Sequence, residues 1–351
     1  MNAAARPSAI ISVVIPTYQR AELLEEAVTS AASQPIAPAE IVVEDDGSTD
    51  ATADVVRRLH SELGPEIEVT YLSQVRMGGN AAGNARVRAA SGGWIAFLDS
   101  DDLWVEDKLE KQVARVSLSP GSVACYCGLR GFSDEGQLPE EHRAFPEGDL
   151  SSSLLVRDRA APMSCYLVRR SVLLDAGLFD QELQARQDWD MWIRVSTYGA
   201  IVRVQEPLTR FRHHDEQRAA NDPSRELRGY RPIRIKYRDL LRALPLGARL
   251  SARSAYHRRV ARARRHYEGH WLRVLSHGLA AWAVSLLERD NDFMLVGFLL
   301  PDWIRRPVRR AWSSLLGQRD GASRPTDDQI VADLECGRQH PGRRRGSPLH
   351  P

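Results

Sequence analysis

Three aspartates close the segment IAFLDSDDLW, residues 95–104. The apolar run 95–98 has the length of a buried strand, and Asp99, Asp101 and Asp102 follow it in a turn-prone tetrad. Carboxylates one residue apart at a strand end can converge on a hard divalent cation. Mg²⁺ takes oxygen ligands, keeps waters, and is bound through one or two carboxylates plus substrate phosphates. The competing reading is a solvated turn whose acids cap the helical pattern that begins at Asp107, Lys108 and Leu109. A second apolar run, Ile41-Val42-Val43, also ends in acids: Glu44, Asp45 and Asp46. Open α/β sheets bind ligands at the carboxyl ends of their strands. Two acidic strand ends at one edge suggest a phosphate ligand bound with metal, with another acid left for a ribose or a base.

The surrounding residues supply the elements that must position those ends. Residues 10–15, IISVVI, form a β-branched run suited to a strand buried on both faces, ended by Pro16-Thr17-Tyr18. Leu24, Ala27, Val28 and Ala31 share one face of the next helix. Asp46-Gly47 makes a turn, and Ser48, Thr49 and Asp50 compete to cap a helix carrying Val55, Val56 and Leu59. Residues 69–72 read as a short strand. The glycine-rich segment 78–86 opens a helix that reaches Ala90 and stops at Gly92-Gly93. The Asp99 strand follows. This β-α-β-α-β-α-β order predicts an α/β fold with a mainly parallel, doubly wound sheet. No G-x-G-x-x-G follows the first strand, which argues against a dinucleotide fingerprint. Further on, 123–126, 162–168, 201–204 and 208–211 read as strands, and 134–148 as a loop.

Three ordered motifs carry a family resemblance: VVIPTYQR, IVVEDDGSTD and GGNAAGNARVRAASGGWIAFLDSDDLW. They resemble the nucleotide-binding half of glycosyltransferase family 2, inverting enzymes of the GT-A fold. The resemblance covers roughly residues 10–215. It implies a nucleotide-diphospho-sugar donor, with Pro16, Thr17 and Tyr18 lining the nucleotide pocket. It implies that Asp45 or Asp46 contacts the base or ribose, that Asn84 and Asp99 serve the sugar nucleotide, and that Asp101 ligates Mg²⁺ or Mn²⁺. The family usually has arginine where this chain has Gly83. Arg86, nearly one helical turn on, either supplies that charge or is a solvated helix residue. The segment 175–199, DAGLFDQELQARQDWDMWIRVSTYG, resembles the acceptor side, where a GxFD element precedes a Glu-Asp pair on a helix. The pair here is Gln187-Asp188, and the resemblance places the catalytic carboxylate at Asp188. Phe211-Arg212-His213-His214 resembles a late Arg-x-His element. His214 either reaches the metal or diphosphate or belongs to a surface pair.

Helical spacing separates Asp188 from its neighbour Asp190. Asp190 has Arg194 at i+4, the pattern of an ordinary surface pair. Asp188 has Met191, Trp192 and Val195 around it and no basic residue at i+4. A carboxylate on an apolar face is costly unless it is paired or neutral. Partial desolvation lifts an aspartate above its reference of about 3.9 and makes it a better proton acceptor. The alternative is that Asp188 bonds a backbone amide at the helix start.

Composition bounds the rest. The 351 residues leave room for a large core and two structural units. With 27% charged and 43% hydrophobic residues, the chain is globular, not disordered or fibrous. Cys125 and Cys127 flank Tyr126, with no second pair at zinc spacing, so the cysteines read as inert thiols in a reducing compartment. The opening residues lack a signal-peptide pattern, and no apolar run reaches the roughly 18 residues of a spanning helix. A cytoplasmic enzyme is expected. The net charge of +2 hides a basic stretch between residues 225 and 265, on helices with Leu240, Leu241 and Leu244 along one face. Trp303 and Trp312, beside apolar residues and arginines, suit a lipid–water interface, so peripheral contact with the inner face of a membrane is expected. The plainer alternative is an amphipathic helix packed on the catalytic domain.

The domain reading is a catalytic GT-A domain over 1–220, a basic helical region over 221–316 and a disordered tail over 317–351. The functional reading is a metal-dependent inverting glycosyltransferase acting on a saccharide or lipid-linked acceptor, in cell-envelope or polysaccharide synthesis. A nucleotidyltransferase would need a glycine-rich basic loop after the first strand, which PTYQRAE does not supply. A nucleic-acid-binding protein could use the basic half, but its aromatics form no base-stacking platform, so no nucleic-acid partner is expected.

Overall fold

The computed structural model describes residues 10–74, 79–133, 136–137, 146–213 and 223–267. β1 (Ile11–Thr17), α1 (Ala21–Ala32), β2 (Glu40–Asp45), α2 (Thr52–Leu63), β3 (Glu68–Ser73), α3 (Gly79–Ala89) and β4 (Trp94–Phe97) alternate as expected. The four strands pair in parallel in the order β3-β2-β1-β4. β-Branched runs suit strands with both faces covered, and Val13, Val14 and Ile15 of β1 are fully buried. α1 buries Leu24, Ala27, Val28 and Ala31, the expected face. Of the three candidate caps of α2, Asp50 holds the helix start: its Oδ1 accepts from the Thr52 amide at 3.1 Å.

β2 lies on one side of β1 and β4 on the other, so strand order reverses at β1. A crevice opens outside the strand ends at such a switch point. Register decides what reaches it. Pro16 pairs with Glu44 and Thr17 with Asp45. Val14 pairs with Phe97, and the Leu98 amide donates to the Val14 carbonyl. Thr17, Asp45 and Asp99 therefore emerge at the same edge.

The chain continues through β5 (Leu103–Trp104), α4 (Lys108–Ser117), β6 (Ser122–Ser133), β7 (Gly136–Gln137), α5 (Ser151–Val156), β8 (Tyr166–Arg169), α6 (Arg170–Asp175), α7 (Gln187–Val195) and β9 (Ala200–Arg212). The sheet extends as β4-β8-β6-β9-β5, with β8 antiparallel to both neighbours and β9 parallel to β6. Two strands expected at 201–204 and 208–211 form one, because the register slips around Gly128 and absorbs the break before Pro207. That strand passes so close to β6 that a Cβ on Gly128 would stand 3.0 Å from the Glu206 carbonyl oxygen. The strand expected from 162 begins only at Tyr166. Met163–Cys165 is a tight turn whose Ser164 serves the acidic turn described below. Within 134–148, Gly136 and Gln137 pair with β6, and 138–145 lie outside the described residues. Cys125, Cys127 and Cys165 are buried free thiols, and no cluster of three metal-ligating side chains occurs among the described residues.

α8 (Pro223–Lys236), α9 (Arg238–Ala243) and α10 (Leu246–Tyr267) follow, with α10 packed on α5 and α8. Leu241 is buried, whereas Leu240 is exposed, so the expected leucine face is only partly used. The Tyr230 ring of α8 lies 4.7 Å from the Trp189 ring of α7. No helix among the described residues is long and apolar enough to cross a membrane. His214 and the Trp303/Trp312 region lie outside the described residues.

α8 meets α7 through a glycine. A Cβ on Gly229 would stand 2.5 Å from the Ala185 carbonyl oxygen and 2.8 Å from Arg186 Cγ. Backbone at that distance cannot step aside cheaply. Gly229→Ala is expected to destabilise the protein by about 1–3 kcal/mol, the range of an overpacked core. The check is the urea midpoint at unchanged m-value. A midpoint equal to wild type would show that α8 does not depend on this contact.

Candidate active site

At this strand edge Asp45 and Asp46 divide their work. Asp45 is buried. Its Oδ1 accepts from the Ser48 amide at 2.8 Å and the Ser48 hydroxyl at 2.6 Å, and its Oδ2 accepts from the Tyr71 hydroxyl at 2.5 Å. Burial and the Asp45 carboxylate push Tyr71 up to about 12. Asp45 thus shapes the turn. Asp46 is half-buried, and its amide donates to the Thr17 carbonyl. The Thr17 hydroxyl is buried at the strand end with no hydrogen-bond partner. Such a group is costly unless a ligand or water satisfies it. Tyr18 is exposed beside it.

Arg86 is neither solvated nor distant. It is buried, and its Nη1 lies 3.1 Å from Glu44 Oε2. Its Nη2 lies 3.4 Å from where a Cβ on Gly83 would stand, so its guanidinium occupies the space a longer residue at 83 would cross. Burial holds Arg86 below its ordinary value, with Glu44 and Asp99 opposing. Burial likewise raises the Glu44 carboxyl, against the pull of Arg86. Asn84 is buried and bonded to Phe179. Its amide accepts from the Phe179 N–H at 2.8 Å and donates to the Phe179 carbonyl at 2.9 Å. It pins the Gly177–Asp180 stretch to α3.

The acidic turn after β4 is tightly built. The Asp99 amide donates to Ser164 Oγ at 3.0 Å, and the Asp102 amide to the Asp99 carbonyl at 3.0 Å. Asp102 is buried and structural. It accepts from the Ser164 hydroxyl at 2.6 Å and the Arg212 amide at 3.1 Å, which ties the turn to β9. Asp101 is half-buried, with Oδ2 2.8 Å from Arg20 Nη1. Burial and the neighbouring Asp101 charge push Asp99 up to about 6, with Asp188 adding to the effect and Arg86 and Arg20 opposing it. Negative charge concentrated this way suits a cation. A metal held by Asp101, with the donor's phosphates completing its oxygen shell, matches the small protein share typical of Mg²⁺ and related ions. The solvated-turn reading fails for Asp102 and Ser100, which are buried.

Across the crevice α7 presents Asp188 in its first turn. Asp188 is half-buried. Burial, then the Asp158 carboxylate, raise its carboxyl above the usual range, while the Trp189 amide and Arg186 pull it down. Both readings of Asp188 hold at once: it is desolvated and it lies at a backbone amide. Asp190 differs from expectation. It pairs with Arg194 at 2.7 Å, but it is fully buried and also meets Lys236 Nζ at 2.9 Å and the Tyr237 hydroxyl at 2.8 Å. α8 and the residue after it cover what helical spacing alone reads as a surface. Arg20, Asp158 and Arg186 were not singled out from sequence, and Glu44 was named only as one of the acids ending its strand. Their partners are far along the chain, and the only local hint was the pairing of opposite charges.

Residues 12–175 match the family model described as Glycosyl transferase family 2. An uncharacterized glycosyltransferase of Nostoc sp. is 40% identical over 220 residues, covering 58% of this chain and 65% of that one. The putative teichuronic acid biosynthesis glycosyltransferase TuaG of Bacillus subtilis is 38% identical over 104 residues, 30% of this chain and 40% of that one. The chain spans from about a third to about two thirds of the length of the first curated relatives it matches, 35% to 66%. Among solved structures, S. aureus TarS superposes with a TM-score of 0.53 at 18% identity, over 86% of this chain and 52% of that one. The mannosyltransferase PcManGT from Pyrobaculum calidifontis, solved with GDP-Man and Mn²⁺, superposes at 0.50 with 20% identity, over 87% of each chain. Likeness at that identity speaks for the fold, which is GT-A, and over residues 12–175 the sequence is similar to glycosyl transferase family 2.

Proposed function

We propose that the protein is a metal-dependent inverting glycosyltransferase that moves a sugar from a nucleotide-diphospho-sugar to an acceptor hydroxyl. The observation that carries the reading is the shared strand edge at the β1/β4 switch point, where Thr17, Asp45 and Asp99 emerge together and the buried Thr17 hydroxyl has no hydrogen-bond partner. Thr17, Tyr18 and one of Asp45 and Asp46 take the nucleoside, the aspartate serving the base or ribose. Arg86 and Glu44 form the floor of that pocket. Asp99 takes the donor sugar or diphosphate, and Asp101 would hold Mg²⁺ or Mn²⁺. A bound metal would act as a Lewis acid on the departing diphosphate. Asp188 accepts the proton of the acceptor hydroxyl as its oxygen bonds to the anomeric carbon. The bond from that carbon to the diphosphate breaks on the opposite face, which inverts the configuration and releases the nucleoside diphosphate.

The test is incubation with UDP-, GDP- and dTDP-sugars, Mn²⁺ and sugar or polyprenyl-linked acceptors, with release of nucleoside diphosphate and the anomeric proton coupling of the product as readouts. Retained configuration would remove the inverting mechanism. No release with any pair, at a concentration where a donor binds, would remove the transferase reading.

TuaG is named for teichuronic acid biosynthesis, and this supports a saccharide or lipid-linked acceptor. The aromatic and basic residues around Trp303 and Trp312 support peripheral attachment. The protein is expected to sediment with anionic vesicles at low salt and to be released as salt screens its arginines. Deleting 291–351 should abolish sedimentation. Unchanged sedimentation after deletion would assign it to another surface.

A further inference from the structure

α7 begins on a strained residue. Arg186, its N-cap position, has φ 62° and ψ 25°, the left-handed region that a side chain other than glycine or asparagine rarely adopts. Such a conformation persists only where the surroundings over-determine it, and it clusters at functional sites. Here the surroundings are identifiable. The Arg186 guanidinium pairs with the Asp158 carboxylate, which follows α5 and is itself almost fully buried. Trp189 Nε1, one turn into the helix, donates to the Leu154 carbonyl of α5 at 2.8 Å. Gly229 of α8 closes on the Ala185 carbonyl and on the Arg186 stem from the other side. Asp188 sits two residues beyond Arg186, on the turn these contacts hold.

We propose that Asp158 and Arg186 are a positioning pair for Asp188: their ion pair holds the left-handed turn that starts α7 and surrounds the Asp188 carboxylate with one charge of each sign. This deepens the proposed base role of Asp188 and rests on it for its meaning in catalysis, though the pair itself is tested without turnover. Neither residue touches the reacting atoms.

The charged groups that face Asp188 come from three elements. Asp158 belongs to the segment after α5, Arg186 to its own helix start, and Asp99 to the end of β4. On α8, Tyr230 packs against Trp189 with its ring tilted, and Arg259, Arg234, Asp158 and Arg186 are charged neighbours of its hydroxyl. Of these, Asp158 and Arg186 act on Asp188 with opposite sign. Neutralising Asp158 removes a neighbouring negative charge and makes the Asp188 proton easier to lose. Neutralising Arg186 removes a positive charge and makes it harder to lose.

The experiment is a carboxyl ¹³C NMR titration of full-length protein labelled in aspartate, with the Asp188 resonance assigned by its loss in Asp188→Asn. Asp158→Asn is expected to move the Asp188 midpoint to lower pH. Arg186→Gly, which keeps a left-handed turn without strain, is expected to move it to higher pH. Arg186→Lys keeps the charge and should leave the midpoint at its wild-type position. A merely structural role would move Asp158→Asn and Arg186→Gly in the same direction. Midpoints that stay put, or that move together, overturn the proposal. Failure of this titration would leave the base assignment standing, because that assignment is tested by the turnover of Asp188→Asn.

Discussion

Asp188→Asn is expected to lower turnover by roughly 10²–10⁴-fold, the share typical of a positioned proton acceptor, with donor binding nearly unchanged. The amide keeps the shape of the carboxyl and cannot take the proton. The sign of the pH dependence follows from burial. The Asp188 carboxyl titrates above its unfolded value, so the folded protein holds a proton that the unfolded chain has released. Stability attached to this group is therefore full below the unfolded value and declines as pH rises through the folded one. Activity runs the other way, since the base must be ionised. Asp188→Asn should accordingly be somewhat more stable than wild type at neutral pH, with the difference vanishing in acid. Asp190 gives the contrast. Its carboxylate is fully buried among Arg194, Lys236 and Tyr237. Removing one partner of a buried ion pair costs about 3–5 kcal/mol, so Asp190→Ala should lower the denaturation midpoint steeply. Near wild-type turnover in Asp188→Asn, with a loss in a folded Asp190 variant, would reverse the assignment.

Asp101→Asn is expected to abolish turnover together with metal-dependent donor binding, while the fold is kept. Asp101 pairs with Arg20 across the site. The turn itself hangs on Asp102, Ser164 and Arg212, so loss of the Asp101 charge leaves it standing. The measurement is Mn²⁺ binding by electron paramagnetic resonance, alongside thermal unfolding. Wild-type Mn²⁺ affinity in the variant, or full activity of the variant in EDTA, would remove Asp101 from the metal site.

The parallel half of the fold was legible because each strand is a β-branched run and each helix shows one apolar face. The acidic turn was legible because acids follow such a run directly, as at Asp99 and Asp101. Three features were hidden for physical reasons. Asp45 and Asp46 are equivalent in sequence, and only the hydroxyls of Ser48 and Tyr71 separate them. Arg86 could not be told from a solvated helix residue because its partner, Glu44, lies 42 positions away on another strand. Asp190 looked exposed because spacing within α7 says nothing of Tyr237 and Lys236, which arrive after the chain has crossed β9. Periodicity reports which face is apolar, not which distant polar group is brought to a site.

The central claim is a nucleotide-sugar site completed by a divalent metal at the β1/β4 switch point. Thermal unfolding of full-length protein with UDP-, GDP- and dTDP-sugars, each with Mn²⁺ or with EDTA, tests it most directly. A ligand that binds only the folded state stabilises it by about 2.7 kcal/mol at a hundred times its Kd. The account predicts a rise in unfolding temperature with at least one sugar nucleotide in Mn²⁺, lost in EDTA and lost in Asp101→Asn. No rise with any of them, or a rise of equal size in EDTA, would contradict it.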